Sequence, residues 1–198
     1  MPKETRGRII EAGAQLFRRQ GFTGTGVKQI VSDAGAPFAS LYHFFPGGKE
    51  ELGAEVIRWA GGIYGDFVVS TYFTVDADPI AATRAAFDGA AEDLAASGYA
   101  DACPIATVAL EVSSSSDTMR TACAEVFTTW IDALADRFES YGIADGAARD
   151  LALSILMSLE GAFILSRALR TAEPLRVAGE TSTAAMMAAL PKRRRKQP

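Results

Sequence analysis

Residues 23–45 read TGTGVKQIVSDAGAPFASLYHFF, and two short helical patterns meet within them. In the first pattern, apolar residues recur every three or four positions up to Gly35, and a left-handed glycine commonly follows the end of a helix. Pro37 suits the start of the second helix, because a proline in the first turn sacrifices no hydrogen bond. The second helix then buries Leu41 and Phe45, four residues apart, and turns its other side chains outward.

Two short helices joined by a tight turn that contains glycine form the helix-turn-helix motif, whose second helix enters the major groove of DNA. We therefore predict that residues 37–45 are a recognition helix and that residues 27–34 support it. An amphipathic pattern from Thr5, a suitable N-cap, to Gln20 predicts the remaining helix of a compact three-helix head. Thr25 or Gly26 is expected to cap the supporting helix.

Several segments resemble the TetR family of transcriptional repressors, including the recognition-helix signature of that family. The matching residues are Ala34–Gly35, Ser40–Pro46, Lys49–Leu52 and, in the first helix, Thr5–Arg6, Ile9–Ile10, Ala12–Ala14, Leu16–Phe17 and Gly21–Phe22. Gly47–Gly48, Cys103–Pro104 and Val108–Glu111 are similar to the LmrA/YxaF-like branch of the family. The resemblance implies a regulator with a DNA-binding head and a helical domain for ligand binding and dimerisation.

Helical patterns continue through the chain, and we find no strand-like alternation or internal repeat. We predict an all-α fold in three parts. These are a helix-turn-helix DNA-binding domain at residues 1–48, a ligand-binding and dimerisation domain at residues 49–190, and a basic disordered tail at residues 191–198. A long helix at about residues 49–72 belongs to both domains and is expected to link them mechanically.

Charge is segregated along the chain, whose formal net charge is −4. Residues 1–52 carry a net +2, residues 53–190 a net −11 and residues 191–198 a net +5. A basic N-terminal segment followed by an acidic segment is typical of a DNA-binding domain joined to a domain that the phosphates of DNA repel. Solvated faces of any acidic protein would explain the body but not this segregation.

The sequence offers no catalytic or metal-binding constellation. Its one histidine is His43, and neither Cys103 nor Cys123 has a Cys or His at metal-ligand spacing. A Gly-rich phosphate loop and a nucleophile motif are also missing from the sequence. We therefore expect no metal, no cofactor and no enzymatic activity, and both cysteines as buried hydrophobes. With no apolar run near the length of a membrane span and no signal segment, we expect a cytoplasmic protein without a membrane partner.

The resemblance also implies which residues of the head meet DNA. Lys28, Tyr42, His43 and Lys49 match positions that contact phosphates, or lie beside them, in TetR-family repressors. Thr25 is expected to add a hydroxyl contact. The leading turn of the recognition helix, where bases are read, contains Pro37, Phe38, Ala39 and Ser40.

Phe38 departs from the family, in which a Lys or another polar residue is usual at this position. An exposed Phe can pack on the methyl group of thymine but cannot form the bidentate contact that Lys or Arg makes with guanine. We therefore expect thymine at this point of the operator. The alternative is that Phe38 packs into the core of the head.

The most hydrophobic helix, at about residues 145–170, has apolar side chains on more than one face. One face can pack within its own subunit, whereas another needs a partner. We predict that this helix and the one at about residues 174–190 form a homodimer interface, which the resemblance implies is a four-helix bundle.

The interior of the body is the expected sensor of a small hydrophobic, aromatic effector. The candidate ligand-binding residues are Trp59, Ile63, Phe67, Phe87, Ile105, Val108, Glu111, Phe127, Trp130, Met157 and Glu160. The two glutamates would bind a hydroxyl or amine of the ligand, or pair with an arginine. For each apolar residue, a role in the ordinary core is the alternative.

Together these features predict a ligand-responsive repressor that binds a palindromic double-stranded DNA operator as a homodimer. Effector binding would favour a state in which the helix at about residues 49–72 tilts and separates the heads. The alternative function is a helical protein that binds hydrophobic molecules and whose DNA binding is weak or lost.

Overall fold

The structure is a computed structural model that describes residues 2–191, without the side chains of Pro2 and Lys3. Within this range it contains nine α-helices and no β-strand, which confirms the all-α prediction. The helices are α1 (Pro2–Gln20), α2 (Val27–Asp33), α3 (Phe38–Phe44), α4 (Gly48–Thr71), α5 (Pro79–Ala96), α6 (Pro104–Val112), α7 (Asp117–Ser140), α8 (Asp145–Leu169) and α9 (Glu173–Ala189). Apart from Pro191, the predicted basic tail lies outside the described residues.

Local capping chemistry explains most helix ends. Gly21 and Gly35 follow α1 and α2 with φ values of 73° and 56°, in the left-handed region that favours glycine. The side chain of Asp78 caps α5 by accepting hydrogen bonds from the N–H groups of Ile80 and Ala81, each at 2.9 Å. Two starts differ in detail from the sequence patterns, because α1 begins before Thr5 and Pro37 is the N-cap of α3 rather than its first residue. Gly26, one of the two expected caps of α2, is its N-cap.

The chain divides into two compact units, each described by itself below. The head unit combines the residues up to Gly65 with Ala100–Thr128, and the body unit combines Asp66–Tyr99 with the residues from Thr129 onward. Helices α4 and α7 therefore each continue from one unit into the other. The predicted boundary at residue 48 does not coincide with this division, because α6 and the first part of α7 group with α1, α2 and α3.

In the head unit, α1 packs against α2, α3 and α6. Leu41 and Phe45 are fully buried, as their spacing predicts, together with Ile30 of α2. The guanidinium of Arg8 on α1 donates from Nε to the carbonyl oxygen of Ala34 at 2.9 Å, at the C-terminal end of α2. The first helix thus holds the helix-turn-helix through both apolar packing and a hydrogen bond to an otherwise unpaired helix carbonyl.

In the body unit, α9 packs against both α5 and α8 around a core that includes Phe87, Phe138, Leu175 and Met186. The backbone of α9 comes very close to α5 at Gly179, where a Cβ would lie 2.8 Å from the Cβ of Phe87. A larger residue at position 179 would push the two helices apart, since neither atom belongs to a mobile side-chain end.

Helix α8 is buried on only one side. Its inner face, which includes Ala148, Leu151, Ala152 and Ile155, lies in the core of the body unit. The large apolar residues exposed on α8 and α9 are Leu153, Met157, Ile164, Leu165, Leu169, Val177 and Met187. Contrary to the sequence-based expectation, α8 is long and apolar enough to cross a membrane by length and composition. One such helix is weak support for a membrane span, because core helices of soluble proteins meet the same criterion.

Candidate nucleic-acid interface

Helix α3 presents a largely apolar outer face. Phe38, its first residue, is 47% exposed, and Tyr42 one turn later is 50% exposed. The two rings meet edge to face, with 5.7 Å between their centroids. The alternative that Phe38 packs into the core of the head is therefore wrong. His43 and Ala39 are also exposed, whereas Ser40 is half-buried.

Contacts behind α3 hold this face in place. The N–H of Phe45 donates to the carbonyl oxygen of Leu41 at 2.7 Å and closes the helix. The Arg6 guanidinium lies over the Phe45 ring, 5.1 Å from its centroid, and donates to Glu55 at 2.8 Å. Because α3 has only seven residues, this packing rather than helix propensity stabilises it.

Lys28 on the supporting helix α2 is exposed to solvent, whereas Thr25, which precedes α2, is buried. Lys28 is exposed, and no hydrogen bond or ion pair of its side chain is found within residues 2–191. Thr25 is only 1% exposed, and its hydroxyl donates to the Gly21 carbonyl oxygen at 2.6 Å. The expected hydroxyl contact with DNA is therefore not favoured, because this group already closes the turn before α2.

Lys49 also has an intramolecular role that its sequence position did not predict. Its ammonium group donates to the carbonyl oxygen of Phe22 at 2.6 Å and lies 4.1 Å from the centroid of the Phe22 ring. Burial lowers the pKa of Lys49, while the negative charge of Glu111 acts in the opposite direction. This ammonium is thus engaged by the segment between α1 and α2, and we do not assign it a direct phosphate contact.

Glu111 lies at the same segment rather than in an effector site. Its carboxylate accepts a hydrogen bond from the backbone N–H of Thr23, with 2.7 Å between oxygen and nitrogen. A Cβ on Gly21 would overlap this carboxylate. On the chain before α6, Asp101 forms an ion pair with Arg19 at 3.0 Å. The end of α1 and the turn that follows it are therefore attached to the α6 region at two points.

The remaining ten effector candidates differ widely in exposure. Phe87, Ile105 and Val108 are fully or almost fully buried, each within its own unit, which favours the core interpretation for them. Phe127, Trp130 and Glu160 are half-buried. The exposed candidates are Trp59, Ile63, Phe67 and Met157. Trp59, Ile63 and Phe67 follow one another at four-residue spacing on α4 and form one apolar stripe, which we call the α4 stripe.

The cysteines occupy two different environments. Cys103 precedes α6, and its sulfur accepts a hydrogen bond from the N–H of Ala106 at 3.4 Å. Cys123 on α7 is 2% exposed, and burial raises the pKa of its thiol to about 11. Among the described residues, no three His, Cys, Asp or Glu side chains are grouped closely enough to hold a metal ion.

Two family models match the chain and together cover most of it. Residues 9–56 match the model of bacterial regulatory proteins of the tetR family. Residues 79–181 match the model of the C-terminal domain of LmrA/YxaF-like transcriptional regulators. The first match contains α2 and α3, and the second contains α5 to α8 and the first part of α9.

Similar proteins agree with both matches. The chain is 32% identical over 177 residues to the HTH-type transcriptional regulator YxaF of Bacillus subtilis, a match that covers 89% of this chain and 92% of that protein. It is 28% identical over 172 residues to the HTH-type transcriptional regulator LmrA of the same organism, covering 87% and 91%. The reduced form of NemR from E. coli shares the fold, with a TM-score of 0.81 at 22% identity, covering 96% of this chain and 99% of that one. The chain belongs to the TetR family of transcriptional regulators, in its LmrA/YxaF-like branch.

Proposed function

We propose that this protein is a ligand-responsive repressor that binds a palindromic operator as a homodimer and inserts α3 into the major groove. The outer face of α3 carries the proposal, because Phe38, Tyr42 and His43 are exposed there while Leu41 anchors the helix in the head unit. A short helix that is buried on one side and open on the other suits a groove about as wide as a helix.

Phosphate contacts are proposed for Lys28, Tyr42 and His43. Lys28 on α2 supplies an exposed ammonium group, and Tyr42 and His43 supply polar groups at the rim of the α3 face. Such contacts fix the position of a protein on the duplex without reading its sequence. They also make affinity fall with rising salt concentration, because each neutralised phosphate releases counterions.

The exposed apolar residues of α8 and α9 are proposed to form the dimer interface. Leu165 and Leu169 of α8 are 54% and 65% exposed in the single chain, and Met187 of α9 is 59% exposed. Soluble proteins rarely leave so many large apolar side chains uncovered. A two-fold interface built from these two helices would bury them against the same residues of a second copy.

Effector binding is proposed to involve Trp59, Ile63 and Phe127 of the head unit, or Phe67, Trp130 and Glu160 of the body unit. Exposed aromatic and aliphatic side chains at regular spacing suit a hydrophobic ligand with few polar groups. Both tryptophans of the chain, Trp59 and Trp130, are among the candidates. Aromatic compounds can therefore be screened by quenching of tryptophan fluorescence, and the variants W59F and W130F then identify the responding residue.

Release from DNA is proposed to act through α4, which begins directly after the recognition helix and continues into the body unit. A ligand that favours a tilted α4 would change the separation of the two heads in the dimer. A coupling free energy of roughly 1–3 kcal/mol is enough for a severalfold to hundredfold loss of DNA affinity. Because this function needs no export or membrane step, we place the protein in the cytoplasm.

The second candidate function is a helical protein that binds hydrophobic molecules and has lost DNA binding. The apolar outer face of α3 favours this alternative, since Phe38 stands where a polar residue is usual. Retention on heparin that decreases with salt, followed by a shift of duplexes from its own promoter region, supports the repressor. Effector binding without any retention or shift supports the alternative.

The experiment that tests the proposed function is selection of bound duplexes from a random pool, with and without candidate aromatic effectors. We expect enrichment of a palindrome whose half-sites are one helical turn apart or a multiple of it. An effector should release the enriched duplex. A pool that shows no enrichment at low ionic strength would overturn the proposal.

A further inference from the structure

The side chains in the first turn of α3 offer DNA almost nothing but hydrocarbon. The N-cap residue Pro37 has no N–H, and Phe38 and Ala39 have no polar side-chain atoms. Ser40 provides the only side-chain hydroxyl in this turn, and it is half-buried. Bidentate hydrogen bonds to guanine or adenine require Arg, Lys, Asn or Gln, none of which occurs on α3.

The Phe38 ring is nevertheless held in a defined orientation. It rests edge to face on Tyr42, one helical turn later, with an angle of 63° between the ring planes. Tyr42 in turn lies close to Gly48, where a Cβ would be 3.6 Å from the ring carbon Cε1 of Tyr42. A ring that is supported before binding loses little conformational entropy when it meets its target.

One group in the major groove is apolar and can therefore pack against such a ring. The 5-methyl group of thymine is the only apolar feature that a standard base presents there. The same methyl group, at the same ring position, is present in 5-methylcytosine and absent from cytosine and uracil. A phenyl ring in contact with it would remove the methyl group and the exposed part of the ring from water together.

From this we infer that Phe38 is a specificity-determining residue, and that it recognises a 5-methylpyrimidine in each operator half-site. This inference rests on the proposed DNA binding and names the chemical feature that is read. Burial of one methyl group corresponds to about a threefold to fourfold change in affinity, so a symmetric pair of half-sites gives about tenfold.

The test uses the full chain and the duplex selected from the random pool. Each symmetric pair of thymines is replaced by deoxyuridine, which removes only the methyl groups, and the Kd is measured by fluorescence anisotropy. We expect one pair at which this replacement weakens binding about tenfold. When cytosine replaces thymine at that pair, the protein should bind the duplex weakly. Replacement by 5-methylcytosine should restore part of the affinity of the protein for the duplex.

Protein variants assign the effect to Phe38. F38A should bind the thymine and deoxyuridine duplexes equally, whereas F38L, which keeps an apolar side chain, should retain part of the difference. Y42F should keep the sensitivity to the methyl group, because its ring still supports Phe38. Selection with F38K should shift the preferred base to guanine at the same position. Circular dichroism checks that the variants are folded, which their exposed positions predict.

The possible outcomes separate this inference from the proposed function. If no duplex is bound at low ionic strength, both are overturned. If a duplex is bound but deoxyuridine changes the Kd by less than about twofold at every position, only the inference is overturned. The same holds if F38A remains as sensitive to deoxyuridine as the wild type.

Discussion

The carboxylate of Glu111 on α6 accepts a hydrogen bond from the backbone N–H of Thr23, although 88 positions of sequence separate the two residues. Thr23 lies in the turn between α1 and α2, so a residue outside the three DNA-binding helices holds the entry to the helix-turn-helix. Gly21, in the same turn, leaves the space that this carboxylate occupies. The position of α2, and with it Lys28, therefore depends on α6.

Replacing Gly21 by alanine should destabilise the protein. The φ of Gly21 is 73°, which disfavours a Cβ, and the new Cβ would also overlap the Glu111 carboxylate. We expect a loss of about 1–2 kcal/mol in the free energy of unfolding, measured with urea. The control G7A lies within α1 with no atom near its Cβ, and it should stabilise the protein by up to about 1 kcal/mol.

A double-mutant cycle with E111A tests whether the two residues act together. E111A alone should cost about 0.5–1.5 kcal/mol through the lost hydrogen bond and should weaken DNA binding. In this background G21A should cost less than in the wild type, because the overlap is gone and only the backbone strain remains. E11A, on the exposed side of α1, is the matched control and should change neither property. Strictly additive effects of G21A and E111A would contradict the contact.

Substitution of Lys28 should weaken DNA binding, whereas substitution of Lys49 should lower the stability of the protein. K28A should weaken binding to every duplex and reduce the slope of log K against log salt by about 2 for a dimer that loses two phosphate contacts. K49M removes the hydrogen bond to Phe22, so it should lower the melting temperature and leave this slope unchanged. If K49M reduced the slope of log K against log salt without changing stability, Lys49 would be assigned a contact with DNA.

Cys123 should be unreactive in the folded protein. Its thiol is buried, and its pKa is raised from 9.0 to about 11, so the reactive thiolate is scarce at pH 8. The neutral thiol is the form that the fold favours, and this contribution to stability is therefore complete below pH 9.0 and lost as the pH approaches 11. In the C103S variant, a disulfide reagent at pH 8 should label Cys123 quickly in urea and only slowly without it. Equal rates in the two conditions would show that Cys123 is accessible.

The proposed dimer interface predicts a selective effect of charge on α8. L165E places a carboxylate within the apolar face of α8 and α9 and should yield a folded monomer at micromolar concentration, measured by sedimentation velocity. L110E makes the same substitution at a leucine that is 75% exposed on α6, and it should remain a dimer. A dimeric L165E, or two monomeric variants, would place the interface elsewhere.

The sequence predicts the helices of this protein well because their ends depend on neighbouring residues. Asp78 and Pro79 start α5, and Gly21 and Gly35 end α1 and α2, through chemistry that each residue carries with it. The outward face of α3 was equally predictable, since Leu41 and Phe45 define its inner side by spacing alone.

Residues whose roles depend on distant partners could not be assigned in this way. Glu111 is a carboxylate on an otherwise apolar helix, and nothing local indicates that it meets Thr23. Thr25 and Lys49 are expected near DNA, but their polar groups already donate hydrogen bonds to the carbonyl oxygens of Gly21 and Phe22. Periodicity likewise identifies Trp59 and Ile63 as one apolar face of α4 without indicating whether anything covers that face.

The most direct measurement of the central claim is sedimentation of the protein with a labelled duplex selected from a random pool, at micromolar concentration and low ionic strength. We predict that the protein alone sediments as a dimer, and that one duplex sediments with two chains. A complex that dissociates as salt is raised would agree with the phosphate contacts proposed for Lys28. A protein that sediments as a monomer, or a duplex that sediments alone at every protein concentration, would contradict the account.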